Sequence, residues 1–192
     1  MSTMTAQAGL PFGRPLTVED LEAMPDDGHR YELIDGTLIV TPAPSWPHQG
    51  VQVRLTTWLY ERCPRDLRVI AAPFEVQLAM DTAVQPDLIV TRFADLTRKN
   101  LPVPPLLAVE IGSPSTALID RNLKRATYER FGIPSYWLVD PDPERPTLTV
   151  LELESEAYVE RATVTVEESV EVATPFEVRL SPWDLTRDLR PE

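Results

Sequence analysis

The sequence predicts an α/β or α+β domain, and three stretches carry that prediction. LLAVEI, residues 106–111, is a continuous apolar run typical of a central strand covered on both faces. From there to SYWLVD the chain reads as strand, helix and strand over about thirty residues, which implies a right-handed crossover between parallel strands. YELIDGTLIV has Asp35-Gly36 between apolar runs, which predicts an antiparallel β-hairpin over residues 30–41. At 192 residues, the chain suits one domain with a sizeable core.

The first half of the chain adds short elements to the hairpin. Residues 1–16 are mostly small and polar, and we expect them to be flexible. Thr17 is placed to N-cap a short helix over residues 18–25. After a proline-rich loop, residues 48–62 have helical spacing, with one apolar stripe formed by Val51, Leu55, Trp58 and Leu59.

The second half begins with two β-rich pieces, RVIAAP and FEVQL. VQPDLIVT reads as one buried strand entered through Pro86, and residues 92–105 as a polar loop. A helix is predicted over residues 117–131, because Gly132 is placed to end it and Pro134 prevents its continuation.

Beyond Pro141, TLTVLELE and AYVERATV alternate with a period of two, which predicts an antiparallel hairpin. We therefore divide the chain into a flexible N-terminus over residues 1–16 and a folded domain over residues 17–165. Residues 166–192 are expected to extend the same domain with short strands and a tail.

The composition is that of an ordinary soluble protein, with 43% apolar and 25% charged residues. The sequence has no long hydrophobic run and no signal-peptide pattern, so we expect a cytoplasmic protein without a membrane partner. A single cysteine, Cys63, excludes an intramolecular disulfide and a cysteine-based zinc site.

The net charge of −12 argues against tight binding to a polyanion. However, residues 140–177 hold 11 acidic and two basic residues, so most of the excess acid belongs to the C-terminal part. A nucleic-acid enzyme therefore remains compatible with the charge, provided that it does not bind bulk duplex tightly.

Two carboxylates in apolar stretches point to a metal site. Asp87 in PDLIV and Glu110 in LLAVEI are costly to bury unless something pairs with them, and a divalent cation is the usual partner. The carbonyl of Ile111 could supply a third ligand. Such a cation can activate water and neutralise charge on phosphorus, which predicts a metal-dependent phosphodiesterase.

Lys124 is the candidate cation of this site. Asp120, Lys124 and Tyr128 are four residues apart and so share a helix face. The chain has 16 arginines but only two lysines, which suggests that a lysine is needed here. The alternative is that Lys124 merely pairs with Asp120 across one turn, and that Tyr128 only packs.

Two further features are weaker candidates. His48 falls in the first turn of a helix, where the dipole disfavours a cationic imidazole, so a neutral acceptor or ligand role is expected. The loop that carries Arg92, Arg98 and Lys99 is a candidate for phosphate contact.

The order of YELIDG, PDLIV, VEI, SPST, D-x-x-x-K-x-x-x-Y and GIPSYWLVD resembles the PD-(D/E)XK nuclease superfamily. Within it the chain is similar to the Uma-two-type family of restriction-endonuclease-like proteins, over residues 17–165. Pro86-Asp87 matches the PD motif and Glu110 the (D/E) position. Gly112 departs from the superfamily pattern, which has lysine there. In this family the lysine is taken from the following helix, where Lys124 stands.

The resemblance implies a mixed central sheet flanked by helices, with an N-terminal hairpin and a C-terminal antiparallel extension. It also implies Mg²⁺- or Mn²⁺-dependent cleavage of DNA by a homodimer. Glu32 and His48 match positions that the family carries near its site, although Glu32 could instead face solvent on an edge hairpin.

We therefore predict an endonuclease in which Asp87, Glu110 and Ile111 bind the metal and Lys124 assists the attacking water or the transition state. Glu32, His48 and Tyr128 are supporting catalytic candidates. Two alternatives stay open: an RNase that uses the same site, and a non-catalytic interaction module with this fold. Metal binding through Asp87 and Glu110 would separate the last from the other two.

Overall fold

The computed structural model of the protein describes residues 13–112 and 118–189. The helices in these ranges are α1 (Val18–Glu22), α2 (Trp46–Tyr60), α3 (Arg125–Arg130) and α4 (Pro182–Thr186). The strands are β1 (Arg30–Ile34), β2 (Thr37–Thr41), β3 (Leu67–Ala71), β4 (Glu75–Ala79), β5 (Thr82–Val84), β6 (Leu88–Arg92), β7 (Asn100–Leu101), β8 (Leu107–Ile111), β9 (Ser135–Asp140), β10 (Thr147–Glu154), β11 (Ala157–Thr165), β12 (Val170–Val172) and β13 (Val178–Leu180).

A six-stranded mixed sheet in the order β11-β10-β9-β8-β6-β3 forms the centre of the fold. β8 and β9 are parallel, as the strand–helix–strand pattern predicts, and the other neighbours are antiparallel. Every residue of β8 is buried. The predictions of a mixed sheet, of a central strand covered on both faces and of a C-terminal antiparallel hairpin are therefore confirmed.

The predicted N-terminal hairpin belongs to a second sheet, with five strands in the order β2-β1-β5-β4-β7. Its turn is at Asp35 and Gly36, both with positive φ, as the Asp-Gly pair predicts. The reading of VQPDLIVT as one strand is wrong. The chain leaves the five-stranded sheet at the end of β5, crosses residues 85–87 and enters the six-stranded sheet as β6. Asp87 therefore lies between the two sheets rather than within a strand.

Three apolar clusters hold these layers together. The α2 residues Val51, Leu55 and Leu59 pack with α4 on one face of the six-stranded sheet. The other face packs against the five-stranded sheet, where Ile34 and Ala108 share a cluster. Helix α1 covers the outer side of the five-stranded sheet. Residues between the two sheets are therefore shielded from solvent.

The helix predicted over residues 117–131 has a different geometry at its start. Ile119–Lys124 forms a π-helical turn, and α3 follows directly. Gly132 has a positive φ and ends the helix, as predicted. The Tyr136 hydroxyl donates to the carbonyl of Asp120 at 2.9 Å, which ties the wide turn to β9. The predicted residue 117 lies outside the described part.

The N-terminal prediction needs a correction at its boundary. Residues 1–12 of the segment expected to be flexible lie outside the described residues. Leu16, however, is buried and its N–H donates to the Gly36 carbonyl at 3.0 Å. Arg14 binds Asp20 through two hydrogen bonds and, together with Thr17, lowers the pKa of Asp20 to about 2. Residues 14–16 are thus attached to the domain.

The C-terminal part is a small hairpin of β12 and β13 followed by α4, which Ser181 N-caps. Leu185 and Leu189 pack in the cluster that contains α2. Helix α2 itself begins at Trp46, two residues before the predicted start. Among the described residues, no helix has both the length and the apolar character that crossing a membrane requires.

Candidate active site

Four buried carboxylates lie between the sheets, at the crossing segment or in the π-helical turn. Glu32 is on β1, Glu110 on β8, Asp87 at the crossing and Asp120 in the π-helical turn; each is at most 3% exposed. Strand alternation explains why Glu32 and Glu110 point into the space between the sheets. Glu32 shares a strand face with Ile34, and Glu110 shares one with Ala108. Both of these apolar residues lie in the cluster between the sheets. The fold thus brings together carboxylates from four separate elements.

Both oxygens of Asp87 are bound by donors of the protein. Its Oδ2 accepts from the Ile111 N–H at 2.8 Å and lies 3.0 Å from His48 Nε2. Its Oδ1 accepts from Arg30 Nη1 at 2.8 Å. The Asp87 carbonyl also accepts from the Gln52 side chain at 2.8 Å. These contacts fix the position of the carboxylate.

Lys124 links the two sheets. Its ammonium lies 3.0 Å from Glu110 Oε1 and 3.0 Å from Glu32 Oε1, with Asp120 Oδ1 at 4.0 Å. Its side chain is 2% exposed. Tyr128, one turn later, donates its hydroxyl to Glu110 Oε1 at 2.7 Å. Lys124 therefore does more than pair with Asp120, and Tyr128 is a buried donor to a predicted metal ligand.

His48 is in the first turn of α2, as predicted. An ionised carboxylate accepts hydrogen bonds only, so the imidazole donates from Nε2 to Asp87. The acceptor or ligand role predicted for His48 is thus left to Nδ1, which is buried and has no hydrogen-bond partner among the described residues. The contact at Nε2 holds the imidazole against the Asp87 carboxylate.

The pKa shifts follow from burial and from these contacts. Burial alone would raise the pKa of Asp87, but the hydrogen bond and charge of His48 and the charge of Arg30 outweigh it and lower the pKa to about 2. Burial raises the pKa of Glu110 to about 8, although Lys124 opposes the shift. Burial lowers the pKa of Lys124, but Glu110 and Glu32 more than offset it, so the pKa is raised and the ammonium stays charged.

The cluster contains more carboxyl groups than fixed cations. In the described part of the chain, four buried carboxyl groups face Arg30 and Lys124, and the raised pKa of Glu110 means that a proton offsets part of this excess near neutral pH. Glu32 Oε2 is buried without a hydrogen-bond partner among the described residues. A divalent cation with oxygen ligands would take the place of that proton. The donor chemistry therefore fits the expected Mg²⁺ or Mn²⁺.

The predicted ligand set is not arranged as a ready-made metal cage. Among the described residues, no three carboxylate, imidazole or thiol groups are grouped so that they could hold an ion. The carbonyl of Ile111 is compatible with the expected role, because the N–H and the carbonyl of one strand residue point to the same side and the N–H meets Asp87. The predicted set of Asp87, Glu110 and this carbonyl therefore stays a prediction.

Sequence reasoning missed Arg30 and Gln52. Their positions relative to predicted site residues could have drawn attention to them. Arg30 is two residues before Glu32 on the same strand face, and Gln52 is four residues after His48 on the same helix face. The sequence gives no sign that either of them reaches Asp87, because that contact depends on how the two sheets pack.

The predicted phosphate-contact loop makes other contacts. Arg92 lies 3.9 Å from Asp95, and Lys99 forms an ion pair with Glu22 of α1. Arg98 is exposed. The structure therefore does not bring these three residues into contact with the carboxylates.

Two clefts reach the acidic cluster. One, with a volume of about 580 Å³, is lined by Arg30, His48, Gln52 and Asp87. The other, of about 950 Å³, is lined by Gly112, Asp120 and Arg121. Gly112, which replaces the lysine of the superfamily pattern, donates its N–H to the Val139 carbonyl at 2.7 Å. These two clefts therefore open to Asp87 and to Asp120, whereas Glu32, Glu110 and Lys124 do not line them.

Comparisons with known proteins bear on the family and on the fold. The family Uma2, described as "Putative restriction endonuclease", matches residues 18–186. A crystal structure from Anabaena variabilis ATCC 29413, described as a putative nuclease belonging to DUF820, is similar with a TM-score of 0.71. The two sequences are 22% identical, and the likeness covers 92% of this chain and 100% of the other, which establishes the fold alone. None of the curated proteins matches the chain.

Proposed function

This chain belongs to the Uma2 family, and we propose that it is a divalent-metal-dependent endonuclease that hydrolyses phosphodiester bonds of DNA. One observation carries the proposal. A buried cluster with an excess of carboxylates encloses a charged lysine and is reached by two clefts. Burying four carboxyl groups together is costly for a fold, and a divalent cation is the usual reason for placing them so.

Asp87, Glu110 and the carbonyl of Ile111 are the proposed holders of Mg²⁺ or Mn²⁺. When bound, such an ion lowers the pKa of a water and neutralises charge on phosphorus. His48 and Gln52 keep Asp87 in place through contacts with its carboxylate and its carbonyl. Residues that orient a ligand in this way commonly matter to metal affinity as much as the ligand itself.

Lys124 supplies a fixed positive charge. Glu110 and Glu32 hold its pKa above the usual lysine value, so the ammonium is charged near neutral pH. Its proposed role is electrostatic: it stabilises the negative charge that develops on the phosphate or on the attacking water. Tyr128 supports this arrangement by donating to the same oxygen of Glu110.

Glu32 is the proposed orienting group for the attacking water. One of its oxygens is bound by Lys124 and by the Gln85 N–H at 2.7 Å, whereas the other has no hydrogen-bond partner within residues 13–112 and 118–189. A buried acceptor without a partner is costly unless a ligand or a water completes it.

The test is nicking of supercoiled plasmid at low salt with Mg²⁺ or Mn²⁺. The wild type is expected to nick, whereas Asp87→Asn and Lys124→Met should lose activity by about a hundredfold or more. Asp35→Asn, at an exposed hairpin turn, is the matched control and should retain activity. Equal cleavage by wild type and Asp87→Asn would refute the assignment of the site.

Cleavage of an RNA of the same sequence, under the same salt and metal conditions, tests the alternative substrate. Preferential cleavage of RNA would keep the site and replace the substrate. If neither the wild type nor any variant binds Mn²⁺ or cleaves nucleic acid, the non-catalytic interaction module is favoured. A homodimer and a cytoplasmic location stay predictions from the sequence and the resemblance.

A further inference from the structure

Arg30 has a position that the proposed chemistry does not explain. Its Nη1 donates to Asp87 Oδ1 at 2.8 Å, and its Nε lies 3.9 Å from Glu32 Oε2, the oxygen without a hydrogen-bond partner. The guanidinium thus lies between a proposed metal ligand and the proposed water-orienting carboxylate.

The two cations of the cluster differ in their access to solvent. Lys124 is enclosed, with 2% of its side chain exposed. Arg30 retains 21% and lines the cleft of about 580 Å³ that also reaches Asp87. Of these two cations, Arg30 is the one that can move towards the cleft without opening the core.

The two carboxylate oxygens of Asp87 have different hydrogen-bond donors. His48 and the Ile111 N–H, both fixed by their own elements, bind Oδ2, whereas Arg30 is the described residue that donates to Oδ1. A metal ion that enters through the cleft therefore meets Asp87 at the oxygen that Arg30 holds. Its charge has the same sign as the guanidinium, so the two cations repel each other.

We propose that Arg30 neutralises the Asp87 carboxylate until a divalent ion binds there. Arg30 then releases Asp87 and binds a phosphate oxygen of the substrate in the cleft. The inference rests on the proposed function and deepens it, since it makes metal entry and phosphate binding compete for one side chain. A guanidinium is suited to both tasks, because its fork of donors matches carboxylate and phosphate oxygens alike.

The first experiment measures Mn²⁺ binding by calorimetry at neutral pH, without substrate. Arg30→Gln removes the competing charge and is expected to bind Mn²⁺ about tenfold more tightly than the wild type. Arg30→Lys keeps the charge and should stay within about threefold of the wild type. Arg130→Gln is the matched control, because it breaks a half-exposed Arg–Asp pair with Asp35 and should leave Mn²⁺ affinity unchanged.

The second experiment measures the anisotropy of a fluorescein-labelled phosphorothioate oligonucleotide at saturating Mn²⁺. Arg30→Gln is expected to bind this probe about tenfold more weakly than the wild type, although it binds the metal more tightly. Thermal unfolding of each variant establishes that it is folded.

The outcomes are distinguishable. If the wild type binds Mn²⁺ and Arg30→Gln binds it equally or more weakly, Arg30 only positions Asp87 and the inference is wrong while the proposed function stands. If the oligonucleotide binds both proteins equally, the phosphate contact is wrong. If neither protein binds Mn²⁺, the proposed function fails, and the inference with it.

Discussion

Replacing Lys124 by methionine tests whether this ammonium holds the two sheets together. Methionine has a similar length and no charge, so the change removes the ammonium from between Glu110 and Glu32 with little loss of volume. Both carboxylates would then remain buried without their shared counter-cation. We expect a folded but clearly destabilised protein.

The size of the effect follows from the geometry. Two contacts of 3.0 Å are lost, and a third carboxylate, Asp120, lies at 4.0 Å. The cost of burying the ammonium is removed as well, which offsets much of the lost attraction. Breaking one side of a buried ion pair typically costs about 3–5 kcal/mol, and we expect a loss in this range. Protonation of Glu110, whose pKa is already raised, keeps the loss from being larger.

The assay is urea denaturation in EDTA at neutral pH. The double variant Lys124→Met/Glu110→Gln should recover about 1–3 kcal/mol relative to the single variant, because glutamine removes the cost of protonating Glu110 in the folded protein. Arg130→Met, in the exposed pair with Asp35, should lose about 1 kcal/mol or less. Unchanged or increased stability of Lys124→Met would refute the view that Lys124 balances these carboxylates.

Three further predictions concern the surroundings of the cluster. His48→Ala should weaken Mn²⁺ binding about 10- to 100-fold in calorimetry, because it removes a donor to Asp87, whereas His29→Ala should not. Tyr128→Phe should lower the free energy of unfolding in urea by about 1–3 kcal/mol, since it removes a buried hydroxyl bound to a carboxylate; a loss near zero would contradict that contact. The lowered pKa of Asp20 stabilises the fold above pH 3.8, and this contribution is lost as the pH falls through about 2. The difference in Tm between the wild type and Asp20→Asn should therefore shrink over that interval, and a constant difference would contradict the linkage.

Local patterns in the sequence predicted the elements well where the signal is short-range. The Asp35-Gly36 turn, the apolar run of β8 and the alternation in β10 and β11 each depend on neighbouring residues, and each element is present. The contact of Lys124 with Glu110 was also expected, because an apolar strand and a helix face limit where these two side chains can go.

Long-range packing was not predictable in the same way. The five-stranded sheet depends on pairing such as Leu33 with Ala83, fifty residues apart in sequence, for which no local pattern exists. The division of VQPDLIVT has the same cause, since Val84 ends β5 and Leu88 begins β6, and long-range pairing decides which sheet each strand joins. The contact of Arg30 with Asp87 follows from that packing, so strand alternation alone could not reveal it.

The π-helical turn at Ile119–Lys124 has a consequence for how such a site can change over generations. A π turn holds one more residue per turn than an α-helix allows, so one inserted codon creates it and one deleted codon removes it. Deleting Asn122 would turn Asp120 by about 100° around the helix axis relative to Lys124 and Tyr128, which belong with the regular helix. The acidic cluster would then lose one carboxylate while its lysine stays in place. A single deletion in this turn could therefore change the number of carboxylates that face a bound cation, while Glu32, Asp87, Glu110 and Lys124 stay unchanged.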